Sequence, residues 1–234
     1  MARSPLPPSH VPCGWFGKMP YLGDFTSRRL PETFVAVCDD WLSRGLAASR
    51  AQLGEDWLKT YLRAPLWRFA WAPGVAGPEW WLGVLMPSVD RVGRYFPLIA
   101  ARAAAALPST PQGLAALQCW FDAVAEATLA TLEPDKSPED FDSRLEAVPD
   151  FTNGAAADAP SWRGVDGRRC LVSGRELDLA AWALAATAPD WNAALRGHSL
   201  WLAGRTDPGG GASLSIARGL PGIDDFVLLL GGSW

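Results

Sequence analysis

Two apolar runs of strand length, separated by a turn, constrain the fold of this chain more than any other feature. The runs cover residues 66–71 and 80–86, and the segment between them is rich in proline and glycine. Short apolar runs joined by such turn residues pair as an antiparallel hairpin. This hairpin excludes a purely parallel, doubly wound sheet.

Helical patterns lie on both sides of the hairpin in the sequence. Apolar residues recur at steps of three and four over residues 34–53, and Gly54 follows directly, as is typical of an amphipathic helix and its end. Thr110 and Pro111 provide a cap and a first turn for another helix. The predicted helices cover residues 31–53, 56–63, 110–132, 137–148, 176–187 and 189–196. The predicted strands cover residues 13–17, 66–71, 80–86, 95–101, 170–173, 199–203, 212–217 and 226–230, with a turn at 208–211.

These elements predict a single-domain, three-layer α/β/α sandwich with a mixed, partly antiparallel central sheet. A chain of 234 residues, 49% of them hydrophobic, can bury one large core. We expect a flexible N-terminal tail over residues 1–12, one domain over 13–234, and a surface insertion at 133–169, which is acidic and rich in proline. Pro97 removes a ladder hydrogen bond, so the strand at 95–101 is expected at an edge or a bulge.

Charge and cysteine usage limit the classes of partner and the compartment. The formal net charge of −4 argues against a nucleic-acid-binding protein. No apolar stretch has the length of a membrane span or, over residues 1–12, of a signal peptide, so a cytoplasmic location without membrane insertion is expected. Scattered cysteines with apolar neighbours are expected to be buried free thiols rather than metal ligands. They are Cys13, Cys38, Cys119 and Cys170.

Two catalytic or ligand-binding patterns are weak in this sequence. Ser88, Asp90 and His198 could form a hydrolytic triad, in which the imidazole activates the hydroxyl group, but no G-x-S-x-G turn surrounds the serine. Glycines near Lys18 lack the spacing of a phosphate-binding loop. A hydrolase that uses Ser88 and His198 therefore remains only as an alternative, and no cofactor or metal is expected.

Charged residues are concentrated at two predicted turns, one after the first strand and one between the strands at 80–86 and 95–101. Such residues can form intramolecular ion pairs that brace loops, because a buried arginine requires an acidic partner. They can also form a recognition surface for a protein partner, since arginine is favoured in binding hot spots, or bind a small anionic ligand. The candidate residues are Asp24, Arg28 and Arg29 at the first turn, and Asp90, Arg91 and Arg94 at the second.

Several sequence motifs between residues 13 and 100 carry a family resemblance. They are Gly14-Trp-Phe-Gly-Lys-Met-Pro20, Gly23-Asp-Phe25, Arg28-Arg-Leu-Pro31, Ala64-Pro-Leu-Trp-Arg-Phe69 and Gly83-Val-Leu-Met-Pro-Ser-Val-Asp-Arg-Val-Gly-Arg-Tyr-Phe-Pro-Leu98. Together they resemble the TagF family of type VI secretion-associated proteins. Ser199-Leu-Trp201 and Gly219-Leu-Pro221 with Phe226 are similar to the C-terminal strands of this family, whereas residues 133–169 match no pattern.

The resemblance implies a function that the composition of the chain does not. It implies a cytoplasmic, non-enzymatic, post-translational repressor of type VI secretion system assembly. Such a protein would act by binding a forkhead-associated scaffold protein, alongside a threonine kinase and phosphatase pathway. The resemblance also implies one α/β domain with helices on both faces of a central sheet.

Overall fold

The computed structural model of the chain describes residues 12–151, 161–165, 168–172, 184, 187, 191–203 and 213–232. Within these residues, seven strands form one sheet: β1 (Gly14–Gly17), β2 (Thr26–Arg28), β3 (Trp67–Trp71), β4 (Trp80–Met86), β5 (Leu98–Ala104), β8 (His198–Ala203) and β9 (Ser213–Arg218). Their order in the sheet is β2-β1-β5-β4-β3-β8-β9, and all neighbouring strands pair antiparallel. A separate hairpin consists of β6 (Ser161–Val165) and β7 (Arg168–Val172).

Five α-helices lie outside the strands in the described residues, and capping residues define one end of three of them. The helices are α1 (Glu32–Leu53), α2 (Trp57–Arg63), α3 (Pro111–Leu129), α4 (Pro138–Glu146) and α5 (Phe226–Gly231). Gly54 ends α1 with a φ of 51°, and the Thr110 hydroxyl accepts a hydrogen bond from the Gly113 amide at the start of α3. Ser137 and Asp140 form a capping box at α4. No described helix is both long enough and apolar enough to cross a membrane.

Apolar side chains form two clusters, one on each face of the seven-stranded sheet. The first joins α1, α2 and α5 to the sheet through residues such as Trp41, Trp71 and Phe226. The second joins α3 and α4 to the opposite face through residues such as Trp80 and Trp120. Consecutive strand residues point to opposite faces, so β3 and β4 contribute to both clusters. The tryptophans whose side chains the structure describes are therefore mainly core residues.

The structure corrects the predicted sheet in three places. The sheet is antiparallel throughout its described strands rather than mixed, because hairpins rather than crossover helices join its central strands. Residues 226–230 form α5 rather than a strand, and the buried side chains Phe226, Leu229 and Leu230 follow helical spacing. Pro97 precedes β5 and leaves its ladder intact, so β5 lies inside the sheet between β1 and β4 and not at an edge.

Part of the segment 133–169, which was predicted as a surface insertion, contributes to the core. Phe141 and Leu145 of α4 are buried in the second apolar cluster. Cys119 is exposed on α3, in contrast to the predicted burial, whereas Cys13 and Cys38 are buried. The predicted tail over residues 1–12, the helix over 176–187 and the turn at 208–211 lie wholly or mostly outside the described residues, and the domain boundaries stay predictions.

Candidate functional site

Two loops that carry the sequence motifs meet at one end of the sheet. One loop follows β1 and covers residues 18–25; the other joins β4 to β5 and covers residues 87–97. Gly17 pairs with Leu98, and Leu98 pairs with Met86, so both loops leave the sheet at the same level. The antiparallel register therefore brings together polar residues that are about seventy positions apart in the sequence.

A buried ion pair, which we call the Lys18–Asp90 clamp, joins the two loops. Lys18 Nζ lies 2.6 Å from Asp90 Oδ2, and the two side chains are 4% and 0% exposed. Arg94 Nε donates to the same carboxylate at 2.6 Å, and the amide groups of Val92 and Arg94 donate to Oδ1 at 3.0 and 2.8 Å. Burial favours the neutral acid, but the hydrogen bonds from Lys18 and Arg94 outweigh it and hold the pKa of Asp90 well below its usual range.

Hydrogen bonds from Ser88 and Tyr61 extend this clamp into the core. The Ser88 hydroxyl donates to the Lys18 carbonyl oxygen at 2.7 Å. The Tyr61 hydroxyl donates to the Ser88 carbonyl oxygen at 2.8 Å and accepts from the Ser88 amide at 3.0 Å. Burial raises the pKa of Tyr61, so it stays protonated as a donor. Both loops are thus fixed to α2.

A second charged cluster, which we call the Asp142 cluster, ties β2 and the residue after it to α4. Asp142 accepts hydrogen bonds from Trp15 Nε1 at 2.7 Å and from Arg29 Nη2 at 2.6 Å, and it also pairs with Arg28. Arg28 Nη2 lies 2.8 Å from Glu139 Oε1. Burial tends to raise the pKa of Asp142, but the hydrogen bonds from Trp15 and Arg28 lower it overall.

Four of the six predicted site residues lie in these two clusters, and the other two lie outside them. Arg28, Arg29, Asp90 and Arg94 contact protein acceptors or donors as described above; Arg94 also donates to the Gly23 carbonyl oxygen. Asp24 and Arg91 are exposed. The Asp24 carboxylate accepts from the Phe25 amide at 2.8 Å, and no described residue forms an ion pair with Arg91. The first four residues therefore make intramolecular contacts of the kind that brace loops.

Sequence reasoning missed Lys18 and Asp142 as partners of the predicted residues. Lys18 follows the short strand β1, where nothing local indicates burial. Asp142 lies in the segment that was predicted to be an insertion. Its neighbours Glu139 and Glu146 are spaced so that all three carboxylates share one face of α4, and all three contact Arg28 or Arg29. The spacing of these three acidic residues is the sequence signal that could have predicted the Asp142 cluster.

The alternative hydrolase with Ser88 and His198 is wrong, because these residues lie at opposite ends of the sheet. Ser199, next to His198, is level with Trp81 at the start of β4, across β3. Ser88 follows Met86 at the other end of β4. Five residues of strand at roughly 3.3 Å each separate the two ends by roughly 17 Å. That separation is far beyond the hydrogen-bond reach that proton transfer needs.

Replacing Asp142 by alanine is expected to destabilise the protein by about 3 kcal/mol. This is the lower end of the range for removing one partner of a buried ion pair, because Arg28 and Arg29 are partly exposed. The change leaves two guanidinium groups and the Trp15 indole N–H without their common acceptor. Asp142→Asn retains a carbonyl oxygen that can accept from Trp15, so this variant is expected to lose less stability than Asp142→Ala. Urea unfolding followed by tryptophan fluorescence measures both. Equal stability of D142A and the wild type would show that the cluster does not hold α4.

The chain is similar to known proteins in sequence and in fold. The family model of the TagF N-terminal domain, described as type VI secretion system-associated, matches residues 14–148, which include both clusters. The crystal structure of PA0076 from Pseudomonas aeruginosa PAO1 is similar to this chain, with 38% sequence identity and a TM-score of 0.72. The match covers 94% of each chain. No protein among those with curated descriptions matches significantly.

Proposed function

The chain belongs to the TagF family of type VI secretion system-associated proteins, and on that premise we propose that it is a post-translational repressor of the assembly of this secretion apparatus. It acts in the cytoplasm, without catalysis, by binding a forkhead-associated scaffold protein of the apparatus. The observation that carries this proposal is the family match over residues 14–148. The scaffold as partner follows from the family resemblance of the motifs.

The chemistry of the motif residues supports binding rather than catalysis. The Ser88 hydroxyl donates to a backbone carbonyl oxygen, and the Lys18 ammonium group is held by Asp90. Groups that are committed to such contacts brace loops; they do not attack a substrate. A loop pair that is rigid before binding loses less conformational entropy when a partner docks on it.

The exposed residues of the loop pair are the proposed contacts with the scaffold. Asp24 and Arg91 lie on the surface, next to the buried clamp that fixes their backbone. The Arg91 amide donates to the Leu22 carbonyl oxygen at 3.0 Å, so the two loops also present their side chains in a fixed relation. An exposed arginine on a rigid loop is a favourable hot-spot residue.

Reversing the charge of Arg91 is expected to weaken scaffold binding by about 10-fold while leaving the melting temperature unchanged. The measurement is isothermal titration calorimetry of the purified protein with the purified forkhead-associated scaffold of the same bacterium. Arg196→Glu, a charge reversal at another exposed site, is the matched control. We expect it to bind like the wild type.

The same titration tests the function itself. Absence of binding by the wild-type protein would overturn the proposed partner. Binding that Arg91→Glu leaves unchanged would keep the partner and refute this contact. Repression is tested in cells: deletion of the gene is expected to raise type VI secretion and overproduction to lower it, and the opposite response would refute a repressor.

A further inference from the structure

Strand β9 forms one edge of the seven-stranded sheet. In the part of the chain that the structure describes, β9 pairs only with β8, so its other side can accept a further strand. Natural proteins usually block such an edge with charged side chains, proline or a bulge, because an open edge pairs with other chains. Residues 213–217 (Ser-Leu-Ser-Ile-Ala) contain no charge and no proline, and their register with β8 is unbroken. This edge therefore lacks the usual protection.

The hydrogen bonds between β8 and β9 show which backbone groups of β9 point outward. The Gly219 amide donates to the Gly197 carbonyl oxygen at 2.7 Å, and the two residues are in register with the ladder. Bonded and non-bonded pairs alternate along an antiparallel ladder, so the odd-numbered residues of β9 bond to β8. The N–H and C=O groups of Leu214 and Ile216 consequently point away from β8, towards the open side.

The side chains of Leu214 and Ile216 make this edge apolar. They are 58% and 54% exposed, and they lie on the same face of the sheet because they are two residues apart. On that face they lie opposite Leu202 and Leu200 of β8, which are half-buried. The edge thus combines two large exposed aliphatic side chains with outward-pointing backbone groups on the same residues.

The order of residues in β9 makes this edge complementary to itself. Ser215 lies at the centre, with one aliphatic residue on each side and the small residues Ser213 and Ala217 beyond them. When two β9 strands pair antiparallel about Ser215, Leu214 of each copy lies opposite Ile216 of the other. Because the backbone groups of these residues point outward, each such pair exchanges two hydrogen bonds.

We propose that the β9 edge docks a second copy of this chain, so that the two sheets continue into one about a two-fold axis at Ser215. The outward backbone groups alone would accept any extended strand. The symmetric placement of Leu214 and Ile216 favours another β9 over a strand of a different protein. Two short strands bury less than the roughly 1,200 Å² of a standard interface, so the dimer is weak and reversible.

The dimer contact is separate from the loop pair that carries the proposed function. The two loops leave the sheet from β1, β4 and β5, which are at least three strands away from β9. Pairing at β9 therefore leaves Asp24 and Arg91 accessible on both copies. The inference does not depend on the identity of the scaffold.

Analytical ultracentrifugation of the purified full chain tests the dimer. We expect the average mass to rise from one chain towards two between ~10 and ~500 µM, as mass action requires of a weak dimer. A chain that stays monomeric over this range would overturn the proposal. Growth beyond two chains would also overturn it, because pairing about a two-fold axis is closed.

Two variants of the edge test whether β9 is the contact. Ile216→Pro removes an outward N–H group but no hydrogen bond to β8, so the chain is expected to fold and to stay monomeric. Leu214→Lys with Ile216→Lys places like charges across the contact and is expected to weaken dimerisation at least ~10-fold. Leu62→Lys on α2, where the leucine is 59% exposed, is the matched control and is expected to dimerise normally. Dimerisation that survives in a folded edge variant would assign the contact to another surface.

A cysteine at position 215 tests the register. The two Ser215 Cα atoms of the dimer are expected to lie about 4.5 Å apart, within the ~4.4–6.8 Å that a disulfide spans. In a Cys119→Ser background, which removes an exposed thiol, Ser215→Cys is expected to give a disulfide-linked dimer under mild oxidation. Ala217→Cys is the matched control, since its symmetry mate would lie about 13 Å away along the paired strands. Stronger crosslinking at 217 than at 215 would overturn this register.

The other occupant of the edge would be a strand of the protein partner. A wild-type chain that is monomeric alone, and whose scaffold binding is lost in Ile216→Pro, would assign the edge to the scaffold and overturn the second copy. We expect Ile216→Pro to bind the scaffold like the wild type, as measured by isothermal titration calorimetry.

Discussion

Replacing Asp90 by alanine is expected to lower the melting temperature by about 10 °C, which is the effect of removing one partner from a buried, hydrogen-bonded ion pair in a chain of this size. The change leaves the Lys18 ammonium group, 4% exposed, without its carboxylate. It also removes the acceptor for Arg94 and for two backbone amides of the loop. Differential scanning calorimetry measures the shift.

Asp24→Ala is the matched control for this change. Asp24 lies in the partner loop but is exposed, and its carboxylate accepts only the adjacent Phe25 amide among the hydrogen bonds described. We expect its melting temperature to stay within about 2 °C of the wild type, as for most surface substitutions. Equal shifts in melting temperature for the two alanine variants would show that the buried contacts of Asp90 contribute nothing to stability.

The pH dependence follows from the lowered pKa of Asp90 in the folded protein. A depressed pKa stabilises the fold fully above the unfolded pKa of about 3.9, and this stabilisation is lost as the pH falls toward the folded value. The difference in melting temperature between the wild type and Asp90→Asn is therefore expected to be constant above about pH 5 and to shrink below about pH 4. A difference that stays constant down to about pH 3 would contradict the lowered pKa.

Replacing Gly17 by alanine is expected to destabilise the protein by about 4 kcal/mol, from backbone strain and overpacking together. Gly17 has a φ of 133°, which L-residues rarely adopt, and a Cβ atom there would lie 2.1 Å from the Pro97 carbonyl oxygen. The clash is with backbone, so no rotamer change relieves it. It would push β1 away from β5 next to Lys18. Chemical denaturation measures the loss.

Gly93→Ala separates the two causes of this loss. Gly93 also has a positive φ, 84°, but an added Cβ atom would meet nothing within 4 Å. The strain alone is expected to cost about 1 kcal/mol. If both alanine variants lost the same amount of stability, the close approach of the Pro97 carbonyl group would not explain why glycine is required at position 17.

These expectations give the family motifs a structural meaning. Gly17 permits the close approach of two strands, and Lys18, Ser88 and Asp90 hold the loops that follow them. The buried motif residues, such as Lys18, Ser88 and Asp90, define the shape of the loops rather than their contacts. Partner contacts are then expected on exposed residues of the same loops, such as Arg91.

The sequence by itself determined the elements that depend on local patterns. The apolar spacing of α1, the Thr110 cap of α3, the helix near residues 137–148 and the hairpin of β3 and β4 were all predicted and are confirmed. Each depends on residues a few positions apart, for which periodicity and turn chemistry are informative. The family was likewise identified from short motifs and is confirmed.

Only the tertiary structure decided what depends on distant residues. Lys18 and Asp90 are 72 positions apart, and Trp15 and Asp142 are 127 apart, so no local pattern could pair them. The run 226–230 is apolar enough for either a strand or a helix, and burial of Phe226 against α1 and the sheet selected the helix. Strand order and burial are set by the packing of the whole core, and that packing brought the charged residues of two predicted turns against partners that the sequence did not reveal.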